Sequence, residues 1–221
     1  FADDWMVYGN VAKGFRTGQP QPAISLGLAI LNGVEIPTGI DPEDLWSYEV
    51  GTKGTFLDGR ASLEAAVFFN DWDKLQVPVL VAPGVNALLN AGTAETQGLE
   101  LAMTFVPVND LELRFGGGYT NAEFTETVAG TGIVSGERVP GVPETTLFAG
   151  GTWRWPMFTS LNGFLNGNVQ YADERTDALS GSSPSDTTTR VDLRLGLEGR
   201  AWGVYLFGEN LTDEDGAINP V

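Results

Sequence analysis

The chain has 221 residues, 29 of them glycine, with no cysteine, no histidine and a net charge of −17. Disulfides, thiol chemistry, His-based triads and His-ligated metals are therefore excluded. So negative a chain also argues against nucleic acid as a partner, since phosphate binding rests on clustered Lys and Arg. No apolar run reaches the roughly 18 residues that a membrane-spanning helix needs.

In chain order, nine segments read as strands, with almost nothing of helical period between them. The first is DDWMVYGNVAKGFR, residues 3–16. LWSYEVGTKGTFL (45–57) and RASLEAAVFFNDWDKL (60–75) follow, joined at Asp58-Gly59, a strong hairpin signal. Then come AETQGLELAMTFV (94–106) and LELRFGGGYTNAEFTE (111–126), joined through 107–110. ETTLFAGGTWRW (144–155) and SLNGFLNGNVQYADE (160–174) are joined by PMFT. A last hairpin lies in TTTRVDLRLGLEGRAWGVYLFGENLTDE, turning near Arg200.

The connections discriminate more than the strands do. Tight turns around Asp58, Asn109, Met157 and Arg200 alternate with long loops at 17–44, 76–93, 127–143 and 175–186. All short turns thus fall at one end of the strands and all long loops at the other. A soluble sandwich has no reason to sort its loops by length; an outer-membrane barrel does. The strand-like segments, about 12 to 16 residues each, also exceed the usual 5 to 6 of globular sheets.

Along each strand one face is apolar. Leu99, Leu101, Met103 and Phe105 oppose Glu100 and Thr104, and Val191, Leu193, Leu195 and Leu197 oppose Arg190, Asp192, Arg194 and Glu198. A half-solvated soluble sheet would show the same alternation. Aromatic placement separates the two cases. Trp5, Phe56, Phe105, Trp153, Trp155, Phe158 and Trp202 lie near the tight-turn end, and Phe15, Trp46, Trp72, Phe124 and Tyr171 toward the loop end. Two such belts flanking a band of Leu, Val and Ala match the girdles of a membrane barrel. The sequence therefore predicts an all-β, antiparallel, up-and-down transmembrane barrel, present here as a partial barrel of about nine long strands. Nine antiparallel strands close poorly, and the chain opens at Phe1 inside a strand pattern, so it is expected to be one part of a larger barrel.

The ordered set VAKGFRTG, DLWSYEVGTKGTFLDGRASLEAAVFFNDWDKLQ, NAGTAETQGLELAMTFVPVNDLELRFGGGYTNAEF, VPGVPETTLFAGGTWRWP and RVDLRLGLEGRAWGVYLFGENLTDE resembles the C-terminal half of TonB-dependent outer-membrane receptors. The likeness covers nearly the whole chain in the family's order. It implies that residues 1–221 correspond to about the thirteenth to twenty-first strands of a barrel of about 22 around a plug. The plug, its energy-coupling box, the earlier strands and a last strand would then lie outside the chain. GENLTDE looks like the penultimate strand entering the last extracellular loop.

By resemblance, the parent would take up iron–siderophore complexes at the outer membrane of a Gram-negative bacterium. Cobalamin, haem, other metal chelates and oligosaccharides are the alternatives. No bond is made or broken, so no cofactor is implied. Implied partners are outer-membrane lipid and lipopolysaccharide, the plug and remaining strands, the inner-membrane TonB complex and a metal-chelate ligand. A soluble β-sandwich or adhesin, a barrel enzyme and a diffusion porin are the competing classes.

Candidate residues follow the faces. Arg16, at the outer end of its strand, could meet an anionic chelate, or simply pair with a nearby acid. Glu49, Lys53, Glu64, Glu100, Glu112, Arg114, Arg154, Arg190, Asp192, Arg194 and Glu198 fall on the inferred inward face, as wall-to-wall or wall-to-plug ion pairs. Asp173, Glu174 and Asp177 suggest divalent-ion or lipopolysaccharide chemistry, or plain solvated charge. FGGGY (115–119) has no following helix or Lys and is no phosphate cradle; its glycines suit curvature or close plug approach.

Overall fold

A computed structural model describes residues 4–90, 92–128, 133–176 and 185–216. It contains strands β1 (Trp5–Arg16), β2 (Gln19–Pro20), β3 (Gly39–Ile40), β4 (Glu43–Phe56), β5 (Ala61–Asp73), β6 (Gln76–Ala82) and β7 (Val85–Asn90). β8 (Ala94–Val108), β9 (Leu111–Phe124), β10 (Thr145–Phe158), β11 (Leu161–Ala172), β12 (Thr188–Gly199) and β13 (Gly203–Gly208) complete the set, with helix α1 (Ala23–Asn32) between β2 and β3. Nine strands form one antiparallel sheet in the order β1-β4-β5-β8-β9-β10-β11-β12-β13. Consecutive long strands are neighbours, as an up-and-down meander requires. The sheet is open, with β1 and β13 at its edges.

Directly paired residues share a face, so the registers fix which side chains align. One row runs Met6, Lys53, Glu64, Ala102, Gly116, Phe148, Gln170 and Arg190. The neighbouring row on the opposite face runs Val7, Thr52, Ala65, Leu101, Gly117, Leu147, Tyr171 and Thr189. The first set lines the concave side and the second the convex side. Large apolar groups on the convex side are bare: Val11 63 %, Val67 57 % and Leu147 53 % exposed. Among the described residues no second layer packs on them, which removes the sandwich alternative. Each such side chain would forfeit roughly 1.5–3 kcal/mol if left in water, so this face needs hydrocarbon against it.

Both belts exist on the convex side, with two exceptions. Trp5 and Phe56 lie 6.1 Å apart and Trp153 and Trp155 4.7 Å apart near the tight turns, while Phe15 and Trp46 sit near the loops. Trp72 and Phe124 do not belong to the outer belt. They sit in the concave-face register with Ala94 and pack beneath the loops with Val77 and Ile133. A large aromatic near a strand end can seal a loop from inside as readily as anchor it from outside, and sequence position does not separate the two.

The tight turns hold the expected end. Residues 57–60 turn with Leu57, Asp58 and Gly59 all at positive φ, and Asp110 (φ 68°) closes the β8–β9 turn. Pro107 is inside β8, at a register shift between Phe105 and Val108 where its missing N–H costs no ladder bond. Likewise β10 runs on to Phe158 through a shift at Pro156, so the turn lies at 159–160 and takes only Thr159 of PMFT. Trp5 lies flat against Gly54, and Trp155 against Gly163, where any Cβ would collide with the indole. These bare cross-strand backbones let the belt rings lie down along the sheet.

The long connections differ most from expectation. The 17–44 loop contains α1, although nothing of helical period was read there. AISLGLAILN is apolar all round, and only Ser25 and Ala29, one turn apart, are buried. Gly33 at φ 68° ends the helix in the left-handed form, its N–H capping Ala29 and Ile30 carbonyls. The 76–93 loop is itself a hairpin, β6–β7. GENLTDE does not extend its strand: β13 ends at Gly208 and the chain turns back onto β12, Leu211 N–H donating to Val191 O at 2.8 Å.

The facing makes a paired prediction. Leu193→Arg places a cation on the convex side and should cost about 2–4 kcal/mol of membrane stability at mid-depth, seen as lost assembly into liposomes. Arg194→Leu, one residue along and on the other face, should assemble nearly as the parent sequence does; equal losses would contradict the facing.

Candidate functional site: the concave wall and the outer mouth

The concave face encloses a hollow of about 1170 Å³, with Tyr8, Glu49, Lys53, Glu64, Glu100 and Arg190 among its lining. Every inward candidate from the sequence does fall on this face, because strand period and register agree: Glu49, Lys53, Glu64 and Glu100 on β4, β5 and β8, and Glu112, Arg114, Arg154, Arg190, Asp192, Arg194 and Glu198 on β9, β10 and β12. Most are paired along the wall. Lys53 Nζ meets Glu64 at 2.9 Å, Arg154 Nε meets Glu198 at 3.4 Å, and Arg190 Nε meets Asp192 at 3.0 Å while Nη2 reaches Glu209 at 3.8 Å. Arg114 Nε lies 3.6 Å from Glu112 and over the Phe148 ring. Glu49 and Glu100 have no cation at ion-pairing distance among the described residues. Gly116 and Gly118 of FGGGY line the hollow, so bare backbone is presented there.

At the mouth, Arg16 Nη2 pairs with Glu43 at 3.4 Å, and its side chain remains 57 % exposed. Glu43 was not singled out in the sequence, yet its side chain is only 3 % exposed. Its other oxygen accepts the Gln76 backbone N–H at 2.7 Å. A buried carboxylate is stable there because a guanidinium and an amide both face it. Gln76 Nε2 in turn donates to Asp41 O at 3.0 Å. One carboxylate thus ties the end of β1, the start of β4 and the start of β6.

The two loops above are joined more widely. Gln21 Nε2 donates to Leu88 O, Ser25 Oγ donates to Asn86 O at 3.0 Å and Asn32 Nδ2 to Val81 O at 2.9 Å. Asn90 accepts the Asp41 N–H at 2.8 Å and donates to Asp41 O and Lys74 O. Ala29, Val81 and Ala87 form a small core between α1 and the β6–β7 hairpin. No sequence signal marked Gln21, Gln76 or Asn90, because lone amides in loops carry no spacing.

The acidic cluster of the third loop is only partly brought together. Asp173 accepts the Tyr171 hydroxyl at 2.6 Å, and that bond first, then Thr145, holds its carboxyl below the ordinary carboxylate value. Glu174 is exposed, Asp177 lies outside the described residues, and no group of acidic side chains among the described residues is placed to hold a metal ion. On the last turn, Glu214 accepts backbone N–H bonds from Thr189 and Gly216, which likewise lower its carboxyl below its ordinary value. Asn210 N–H donates to Asp192, and its side chain clasps the Glu214 backbone from both sides.

Residues 1–211 match the family model described as TonB dependent receptor-like, beta-barrel. The chain belongs to the TonB-dependent receptor β-barrel family. It forms part of an outer-membrane barrel, in a family of TonB-dependent transport receptors. Its sequence is 27% identical over 143 residues to the probable TonB-dependent siderophore receptor PiuA of Acinetobacter baumannii, covering 61% of this chain and 19% of that protein. It is 29% identical over 167 residues to the pesticin receptor of Yersinia enterocolitica, covering 74% and 21%. The chain thus spans about a fifth of the length of the curated relatives it matches. In fold it resembles the ferric yersiniabactin uptake receptor FyuA from Yersinia pestis, with TM-score 0.76 at 20% identity over 99% of this chain and 31% of that one. The siderophore receptor PiuA structure gives 0.70 at 19% identity over 99% and 31%.

Two predictions follow from the mouth. Removing the buried acid by Glu43→Ala strands the Gln76 N–H and frees Arg16, at a cost of about 1–3 kcal/mol, which should appear as faster proteolysis in 17–42 and 74–93 with the strands intact. Asp173 and Glu214 have lowered folded values, so their bonds contribute fully above the ordinary value, which is 4.5 for Glu214, and are lost as pH falls through the folded value. Protection factors at the outer ends of β11 and β12, which divide out the base-catalysed intrinsic exchange, should fall only on that acid side; a fall on the alkaline side would refute it.

Proposed function

We propose that this chain forms about the thirteenth to twenty-first strands of a TonB-energised receptor that imports ferric siderophore complexes. The family membership supports transport, and relatives named as siderophore receptors support the cargo. The observation that carries the reading is the division of one sheet into a bare apolar exterior and a charged, hollow interior. In this reading the plug fills the hollow. Glu49, Lys53, Glu100, Arg114, Arg154, Arg190, Asp192 and Arg194 form its wall, with Glu49 and Glu100 facing cationic groups of the plug. The ordered loops form part of the mouth. Arg16, held by Glu43 with more than half its side chain exposed, offers an anionic chelate its free N–H edge. The outer membrane would supply lipid and lipopolysaccharide against the convex face, and the TonB complex would act through the plug.

In a strain lacking its own ferric-chelate receptors, the full-length receptor should restore radioiron uptake from a ferric siderophore, and only when TonB is present. Arg16→Glu should weaken chelate binding about tenfold, near 1.4 kcal/mol. Restored uptake of cobalamin, haem or an oligosaccharide in place of ferric chelate would replace the cargo and keep the transporter.

A further inference from the structure

Of the four arginines on β9, β10 and β12, all on the concave face, three are neutralised by the wall itself: Arg114 by Glu112, Arg154 by Glu198, and Arg190 by Asp192 and Glu209. Arg194 is different. No carboxylate of the described residues lies at ion-pairing distance from it, and its guanidinium instead sits 3.9 Å above the centre of the Tyr205 ring and 5.9 Å from that of Phe164. The platform is built. Tyr205 and Phe164 meet edge to face at 5.7 Å, and the Tyr205 hydroxyl donates to Glu198 at 2.9 Å. Glu198 is fixed in turn by Arg154, which itself lies over the Phe164 ring at 5.0 Å. Donation to a carboxylate enriches the phenol ring and strengthens its hold on the cation. A guanidinium seated on a ring face keeps its N–H edge outward, in the fork that fits a carboxylate.

We propose that Arg194, seated on Tyr205, is an anion receptor of the inner wall that takes a carboxylate of the plug domain. This rests on the receptor reading above and adds to it the sign, the residue and the platform. Charge complementarity selects the occupant. Among the described residues, Glu49 on β4 and Glu100 on β8 have no cation at ion-pairing distance, and Arg194 on β12 has no carboxylate. The plug face that fits must therefore be basic toward β4–β8 and acidic toward β12, which fixes its rotation within the barrel. Tyr205 is a positioning residue: it acts only through Arg194.

The test uses the full-length receptor in detergent, following urea release of the plug and ferric-chelate affinity separately. Arg194→Gln should lower the urea midpoint of plug release by roughly 1 M with chelate affinity unchanged. Tyr205→Leu should do nearly the same, while Tyr205→Phe, which keeps the ring, should do less. In an Arg194→Glu background, one plug Asp or Glu changed to Lys should restore the midpoint, a rescue that mere structural damage would not permit. Arg194→Lys covers the case of a glutamine variant that fails to assemble: it keeps the charge, loses the fork and should show a partial shift. An unshifted midpoint overturns the proposal, as does a loss of chelate affinity alone, which would make Arg194 a cargo contact. A full-length chain with no plug would sink the receptor reading itself.

Discussion

Hydrocarbon offers no hydrogen-bonding partner, so every backbone N–H and C=O at membrane depth must be satisfied within the protein. That requirement orders this chain. It selects long antiparallel strands joined as neighbours, so that each ladder is completed by the next segment along. It then splits the side chains by parity. On the convex face between the belts stand Val7, Val11, Val50, Val67, Leu99, Leu101, Leu193 and Leu195, whereas Lys13 and Asp44, a pair at 3.3 Å, lie at the loop end, where water and headgroups can receive them. Most other acids and bases of the strands go to the other parity and meet one another along the concave wall.

The two ends of the strands face different demands. At the tight-turn end the chain reverses in two to four residues, using positive φ at Leu57, Asp58, Gly59 and Asp110. At the other end the connections are long enough to fold into structures of their own. α1 and β6–β7 share a core, residues 134–139 lie beside the outer end of β9, with Val139 N–H on Ala122 O, and the last turn clasps β12. Glu43 is the junction between the regimes, since one buried carboxylate joins two strands of the wall to the loop hairpin above it. Rigid wall and ordered mouth are therefore mechanically linked through a few polar contacts and not through a large core.

What could be read from the sequence is what depends on parity. The facing of Glu100 or Arg194 follows from counting along a strand, and so do the nine strands and the sorting of their loops. What depends on a partner distant in sequence could not be read. α1 is held by Val81 and Ala87, residues that no helical pattern points to, so its own uniform apolarity concealed it. Trp72 and Phe124 were placed in the outer belt by their height along the strand, but on the concave side they pack against Val77, Val128, Ile133 and Val139, which buries Phe124 fully and Trp72 in part. Arg16 was visible as a mouth cation; its partner Glu43 was not, because a buried acid and an exposed one look alike in sequence. The same holds for Tyr205, whose ring matters only once Arg194 is seen above it.

Site-directed spin labels permit a direct reading of the membrane, since residues 1–221 carry no cysteine of their own. Spin labels placed one at a time at 67, 101, 193 and 195, and at 66, 100, 192 and 194, in the full-length receptor in lipid, would report collisions with dissolved oxygen and with a water-soluble nickel chelate. The first set should favour oxygen and the second nickel, alternating residue by residue through mid-depth. Equal access to nickel at both sets would mean that no hydrocarbon lies against the leucines and valines, and the barrel reading would fall.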